Sequence, residues 1–196
     1  MRIKQETVYT FNELSDAAKE CARQWYREGG FDYEWYDATF DDAKQCLALA
    51  GFTVDKIYFS GFSSQGDGAC FEGSWAAGNT KPVKAMKQHA PKDKALHEIA
   101  AAMREVAKAN PSAFMSVKQH GHYCHEHCTS FWIESDDCAI ELKGDAEGAI
   151  IEASKDAMRW IYSQLEKEHD WLNSDEQVDA AICANECEFY KNGKSA

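Results

Sequence analysis

Residues 53–75 read T-V-D-K-I-Y-F-S-G-F-S-S-Q-G-D-G-A-C-F-E-G-S-W, and their reading decides the fold. Residues 53–60 (T-V-D-K-I-Y-F-S) are rich in β-branched and aromatic side chains and read as a strand. Residues 69–75 (A-C-F-E-G-S-W) read as its partner. The connecting G-F-S-S-Q-G-D-G is turn chemistry, because its glycines reach positive φ without a Cβ penalty. The same pattern returns later: Ala113–Lys118 and Thr129–Glu134 flank a polar stretch and read as a second hairpin. Cys138–Lys143 reads as a further strand.

Helical spacing fills the intervals. Leu14, Ala18, Cys21, Ala22 and Trp25 mark a first helix that stops at Gly29-Gly30. A second is expected from about Trp35 to Ala50, with Gly51 as its stop. Periodicity resumes at 83–90, breaks at Pro91, and continues through Leu96, Ile99, Met103 and Val106 to Asn110-Pro111. Ile150, Ala157, Ile161 and Leu165 share one face of a long helix over 146–172. Ser174 with Gln177 forms a capping box for a last helix ending near Cys187, and residues 2–9 alternate weakly as a short strand. Hairpins separated by helices predict an α+β fold: an antiparallel sheet built from two hairpins and covered by several helices, in a single domain over 1–196.

The composition narrows the function classes. With 44% apolar residues and 12% aromatics in 196 residues, the chain has the material for a substantial core. A formal charge of −12 argues against nonspecific nucleic-acid binding, which needs clustered Lys and Arg. It suits basic proteins, cations or plain solubility. No signal-peptide pattern opens the sequence and no apolar run approaches membrane-spanning length, so the expected location is a reducing cytoplasm, with no membrane partner. Of the eight Cys, Cys21 and Cys46 fall on apolar helix stripes and are expected in the core.

Chemistry concentrates in two places. His120, His122, Cys124, His125, His127 and Cys128 put six metal-ligating side chains within nine residues. Imidazole and thiolate suit zinc, and the spacings Cys124-x3-Cys128 and His122-x2-His125 are workable, so these four form a candidate zinc set. A complete structural site usually joins two separated ligand pairs, and here all crowd one loop. The competing reading is a polar hairpin whose imidazoles pack on Tyr123 and Trp132; a third treats the histidines as donors to a phosphate or carbonyl. In the other loop, Gly61, Ser63, Ser64, Gln65 and Asp67 offer an anion-binding nest of backbone N–H groups, without the Lys of a P-loop. Asp67 there reads either as a ligand or general base, or as ordinary Asp-Gly turn chemistry. No G-x-S-x-G elbow points to nucleophilic catalysis. The acid- and aromatic-rich stretch Phe31–Asp42 offers an inhibitory protein-binding face or a solvated helix start.

The segments E-L-S-D-A-A-K-E-C-A-R-Q-W-Y-R-E, I-Y-F-S-G-F-S-S-Q-G-D-G-A-C-F-E-G, H-G-H-Y-C-H and S-D-E-Q-V-D-A-A-I-C-A-N-E-C-E-F together resemble a family of small phage and prophage proteins, some loosely labelled antitoxin-like. The resemblance covers nearly the whole chain. It implies that Gly61, Gln65, Asp67, His122 and His125 matter more than Cys124 and Cys128. The expected function is that of a non-enzymatic phage accessory or anti-defence protein. It binds a small nucleotide-like signal, or a host defence or toxin protein, at its two hairpin tips, with no cofactor. Gly61, Ser63, Ser64, Gln65, Asp67, His120, His122, Tyr123 and His125 are the expected contacts. A metal-dependent phosphoester hydrolase is the first alternative and an acidic protein–protein inhibitor the second.

Overall fold

The computed structural model describes residues 5–31, 33–78, 81–135 and 142–196. In chain order these form β1 (Tyr9–Thr10), a 3-10 turn (Phe11–Glu13), α1 (Asp16–Gly29), α2 (Asp37–Leu49), β2 (Phe52–Phe59) and β3 (Ala69–Ala76). There follow α3 (Pro82–His89), α4 (Lys94–Ala109), β4 (Ala113–Gln119), β5 (Thr129–Ser135), α5 (Ala146–Leu172), α6 (Asp175–Ala184) and β6 (Glu188–Phe189). The fold is α+β. None of the described helices is long and apolar enough to cross a membrane. The chain groups into two compact units, Tyr36–Glu166 and Met1–Trp35 with Lys167–Ala196.

The larger unit holds a four-stranded antiparallel sheet in the order β2-β3-β4-β5. Hairpin β2–β3 joins hairpin β4–β5 through a β3–β4 ladder in which Trp75 faces Met115 and Gly73 faces Val117. Between Val54 and Lys56 the β2–β3 register shifts, and Gly73 opposes the irregularity. A Cβ at Gly73 would overlap the Thr53 carbonyl oxygen, so only glycine fits there. Ile57, Phe71, Trp75, Met115 and Val117 line the core face of the sheet. Helices contribute Leu47, Met86, Leu96, Met103, Ile150, Ala157, Ile161 and Leu165, all buried. Trp75 also donates its indole N–H to the Ala50 carbonyl at 3.0 Å, which fixes the α2–β2 corner where Gly51 turns at φ 96.

In the smaller unit, β1 pairs with β6 through Tyr9 with Phe189 and Thr10 with Glu188. Phe11, Leu14, Ala18, Ala22, Val178, Ile182 and Phe189 form its core. Arg23 on α1 donates a fork to Asp179 on α6, Nε to Oδ1 at 2.6 Å and Nη2 to Oδ2 at 2.7 Å. Three expectations change. Cys21 is exposed, on the flank of α1 rather than on its buried stripe, which Leu14, Ala18 and Ala22 supply. The last helix stops at Ala184, because Glu186 turns at φ 51 and sends the chain into β6. The described part of the first strand is only Tyr9–Thr10; most of the further strand expected at 138–143 lies outside the described residues.

Candidate functional site

Strand pairing alone brings the two polar loops together. In a sheet ordered β2-β3-β4-β5 with every neighbour antiparallel, the β2–β3 and β4–β5 turns must emerge at the same end. The loops then meet. A methyl added to Gly68 would overlap His125 Cβ and stand 3.3 Å from the Cys124 carbonyl oxygen. One added to Gly66 would stand 3.1 Å from Tyr123 Cδ1. Helix α5 reaches both loops: Tyr162 Oη donates to the Gly61 carbonyl at 3.0 Å, and Arg159 Nε donates to Glu126 Oε1 at 3.1 Å. The Phe62 and Tyr162 rings lie 5.4 Å apart, continuing an aromatic row from Phe40 and Tyr36 through Phe59.

Inside the first loop, Asp67 serves the loop itself. Its Oδ2 accepts the backbone N–H groups of Ser63 at 2.9 Å and Ser64 at 2.6 Å, while its own N–H donates to the Ser64 carbonyl at 3.0 Å. The Ser64 and Ser63 N–H groups hold its carboxyl below the usual carboxylate range. The donors expected to cradle a ligand anion are thus already bonded to Asp67. Ser60 Oγ is buried and has no hydrogen-bond partner. Ser63, Ser64 and Gln65 are exposed.

The second loop closes with His120 N–H donating to the Cys128 carbonyl at 2.9 Å and Cys128 N–H to the His125 carbonyl at 2.8 Å. Gln119 spans it, donating to the Gly121 and Tyr123 carbonyls. His120, His122, Tyr123 and His127 are exposed; Cys124, His125, Glu126 and Cys128 are half-buried. The His122 and Tyr123 rings stand 5.6 Å apart, edge to face. His127 N–H donates to His125 Nδ1 at 3.1 Å, so in the neutral ring the proton sits on Nε2. Burial raises the Glu126 carboxyl, but its own backbone N–H and the Arg159 guanidinium outweigh this and hold it below the usual range.

Cys70, at the start of β3, is wholly buried. Burial, with the Cys124 and Cys128 thiols next, pushes it up to about 12. Cys124 is raised by burial and by Cys128. Protonated thiols are poor nucleophiles and must lose the proton to bind metal. His122, Cys124, His125 and Cys128 do not bring three ligand atoms within 4.8 Å of one another, so the expected zinc set is not assembled in this structure. The stretch Phe31–Asp42 crosses from one compact unit to the other, and its Asp32 lies outside the described residues.

A family described as Domain of unknown function (DUF8835) matches residues 35–175, which hold the whole four-stranded sheet, both loops and α5. The chain belongs to this family. No curated protein and no solved structure matches it. In this DUF8835 member, sequence reasoning named the two loops, Ser60 among the polar residues of the first, but missed Glu126, Arg159 and Tyr162. A helix face touching two loops 33 and 101 residues away leaves no local pattern to read.

Proposed function

We propose that the chain is a non-catalytic binding protein that takes a small nucleotide-like ligand at the joined hairpin tips. The observation that carries this reading is the contact of Gly68 with His125 and Cys124, which turns two separate loops into one surface. On it the exposed Tyr123 ring offers a stacking face, and His120, His122 and His127 offer ring N–H groups. A base stacks on an aromatic face whatever its identity. Protonated imidazole adds charge to hydrogen bonds with phosphate, each worth about 1.5–3 kcal/mol. The Asp67 turn and the Tyr162 bond to Gly61 hold the first loop in place, so Asp67 positions the site rather than touching ligand. The resemblance to phage and prophage proteins supplies the setting, an accessory that blunts a host defence by sequestering its signal. The hydrolase alternative, with His122, His125 and Asp67 as its ligands, ranks lower, because these three do not bring their ligand atoms within 4.8 Å of one another.

Calorimetry against cyclic and linear nucleotides tests this. Binding is expected. It should weaken in His122→Ala and more in a His122→Ala/Tyr123→Ala double variant. A panel with no binder, or binding indifferent to those substitutions, rejects the proposal.

A further inference from the structure

A second cluster of metal-ligating side chains lies on the helical side of the larger unit. Among the described residues, Asp42, Cys46 and His89 bring one ligand atom each within 4.8 Å of one another. The sequence explains how. Asp42 and Cys46 are four apart on α2 and so share a face. His89 is the last residue of α3, which packs against α2, and the chain breaks away at Ala90-Pro91 directly after it. The Asp42 carboxylate stands between the other two, Oδ1 at 3.7 Å from His89 Nε2 and Oδ2 at 3.9 Å from Cys46 Sγ.

At 3.9 Å the Cys46 thiol donates a weak hydrogen bond to Asp42 Oδ2, and a cation would take the place of that proton. The Asp42–His89 approach is longer than a hydrogen bond, and exposed ion pairs of that kind contribute little. Ligands about 2.0–2.3 Å from a tetrahedral zinc stand roughly 3.3–3.5 Å apart, so the two approaches to Asp42 would shorten by a few tenths of an ångström, and Cys46 and His89, within 4.8 Å of each other, would close on the ion as well. Cys46 is buried and would approach the ion from the core side, while Asp42 and His89 are exposed and would approach from the rim. Burial pushes the Cys46 thiol up to about 11, with Asp42 and Asp93 adding to it, so a bound cation would have to displace its proton. Asp93 is already spent, accepting from Leu96 N–H and the Trp160 indole, and serves only as a nearby charge.

We propose that Asp42, Cys46 and His89 form a binding site for zinc or a similar borderline-soft divalent cation, clamping α2 to α3. On binding, the thiol proton passes to solvent, a thiolate–metal bond forms, and a water completes four-coordination. The site is independent of the hairpin tips and of the ligand proposed there.

Titration of the chelator-stripped full chain with Co2+ tests it. A thiolate-to-cobalt charge-transfer band is expected, and Zn2+ should abolish it by displacement. The band should vanish in Cys46→Ala and persist in a Cys124→Ala/Cys128→Ala double variant. His89→Ala and Asp42→Asn, both at exposed positions, should weaken Co2+ binding by at least about tenfold, the loss that even outer-shell changes cause. If Cys46→Ala does not fold, those two variants decide. The proposal falls if no band appears, if His89→Ala and Asp42→Asn bind Co2+ as wild type does, or if the band follows Cys124 and Cys128 instead.

Discussion

At Gly68 the two hairpins touch so closely that a single methyl group distinguishes a joined surface from separate loops. Gly68→Ala should cost about 1–3 kcal/mol, the usual cost of forcing an atom into a packed site. It should lower the denaturant midpoint at unchanged m-value and move the amides of residues 122–127. A variant with wild-type midpoint and amides would show that the loops do not meet. Single residues were the scale at which the sequence spoke least clearly. Asp67 was legible as either turn chemistry or a ligand, and the distances to Ser63 and Ser64 N–H groups favour the turn. Cys21 and Cys46 looked alike on their stripes, yet one is exposed and the other buried, a difference set by which helix face meets a partner. Asp42 and His89 could not be paired from sequence, because nothing local says that the end of α3 lies against α2.

Elements were far more legible, and α5 shows why. A 27-residue helix with one apolar face repeats its signal many times over, and Ile150, Ala157, Ile161 and Leu165 are all fully buried. Leu165→Ala should therefore cost about 2–5 kcal/mol of unfolding free energy. A loss below 1 kcal/mol, roughly what a surface site gives, would contradict that packing. The β2–β3 and β4–β5 hairpins were readable from their strand composition and turn residues, but the Val54/Lys56 irregularity was not, since it depends on Gly73 across the ladder. β6 escaped notice because two residues carry no alternation, so its pairing with β1 could not be read from the sequence. The α1–α6 tie makes a pH prediction. The Arg23 fork holds the Asp179 carboxyl below its usual range, so its stabilisation is complete above the ordinary Asp value and is lost as pH falls through the folded one. At neutral pH Asp179→Asn should be less stable than wild type by about 1 kcal/mol, since the pair is partly exposed. The gap should close in acid; a gap constant with pH would show that the fork contributes no charge-dependent stability.

For the whole molecule, a formal charge of −12 repels anions at long range, so recognition of a phosphate-bearing ligand has to come from local donors. Antiparallel order in the sheet is what concentrates them, by sending both polar loops to one end. That consequence follows from strand pairing, which the sequence implied through its two hairpins, whereas the tethers from Arg159 and Tyr162 required the fold. The central claim, that the tips act as one site, has a direct test. Cyclic and linear mononucleotides are titrated into the 15N-labelled full chain while every backbone amide is followed. The account predicts that residues 61–68 and 120–128 shift together along a single binding curve, with the rest of the sheet unmoved. Shifts confined to one loop, two loops titrating with different midpoints, or shifts centred elsewhere would contradict it.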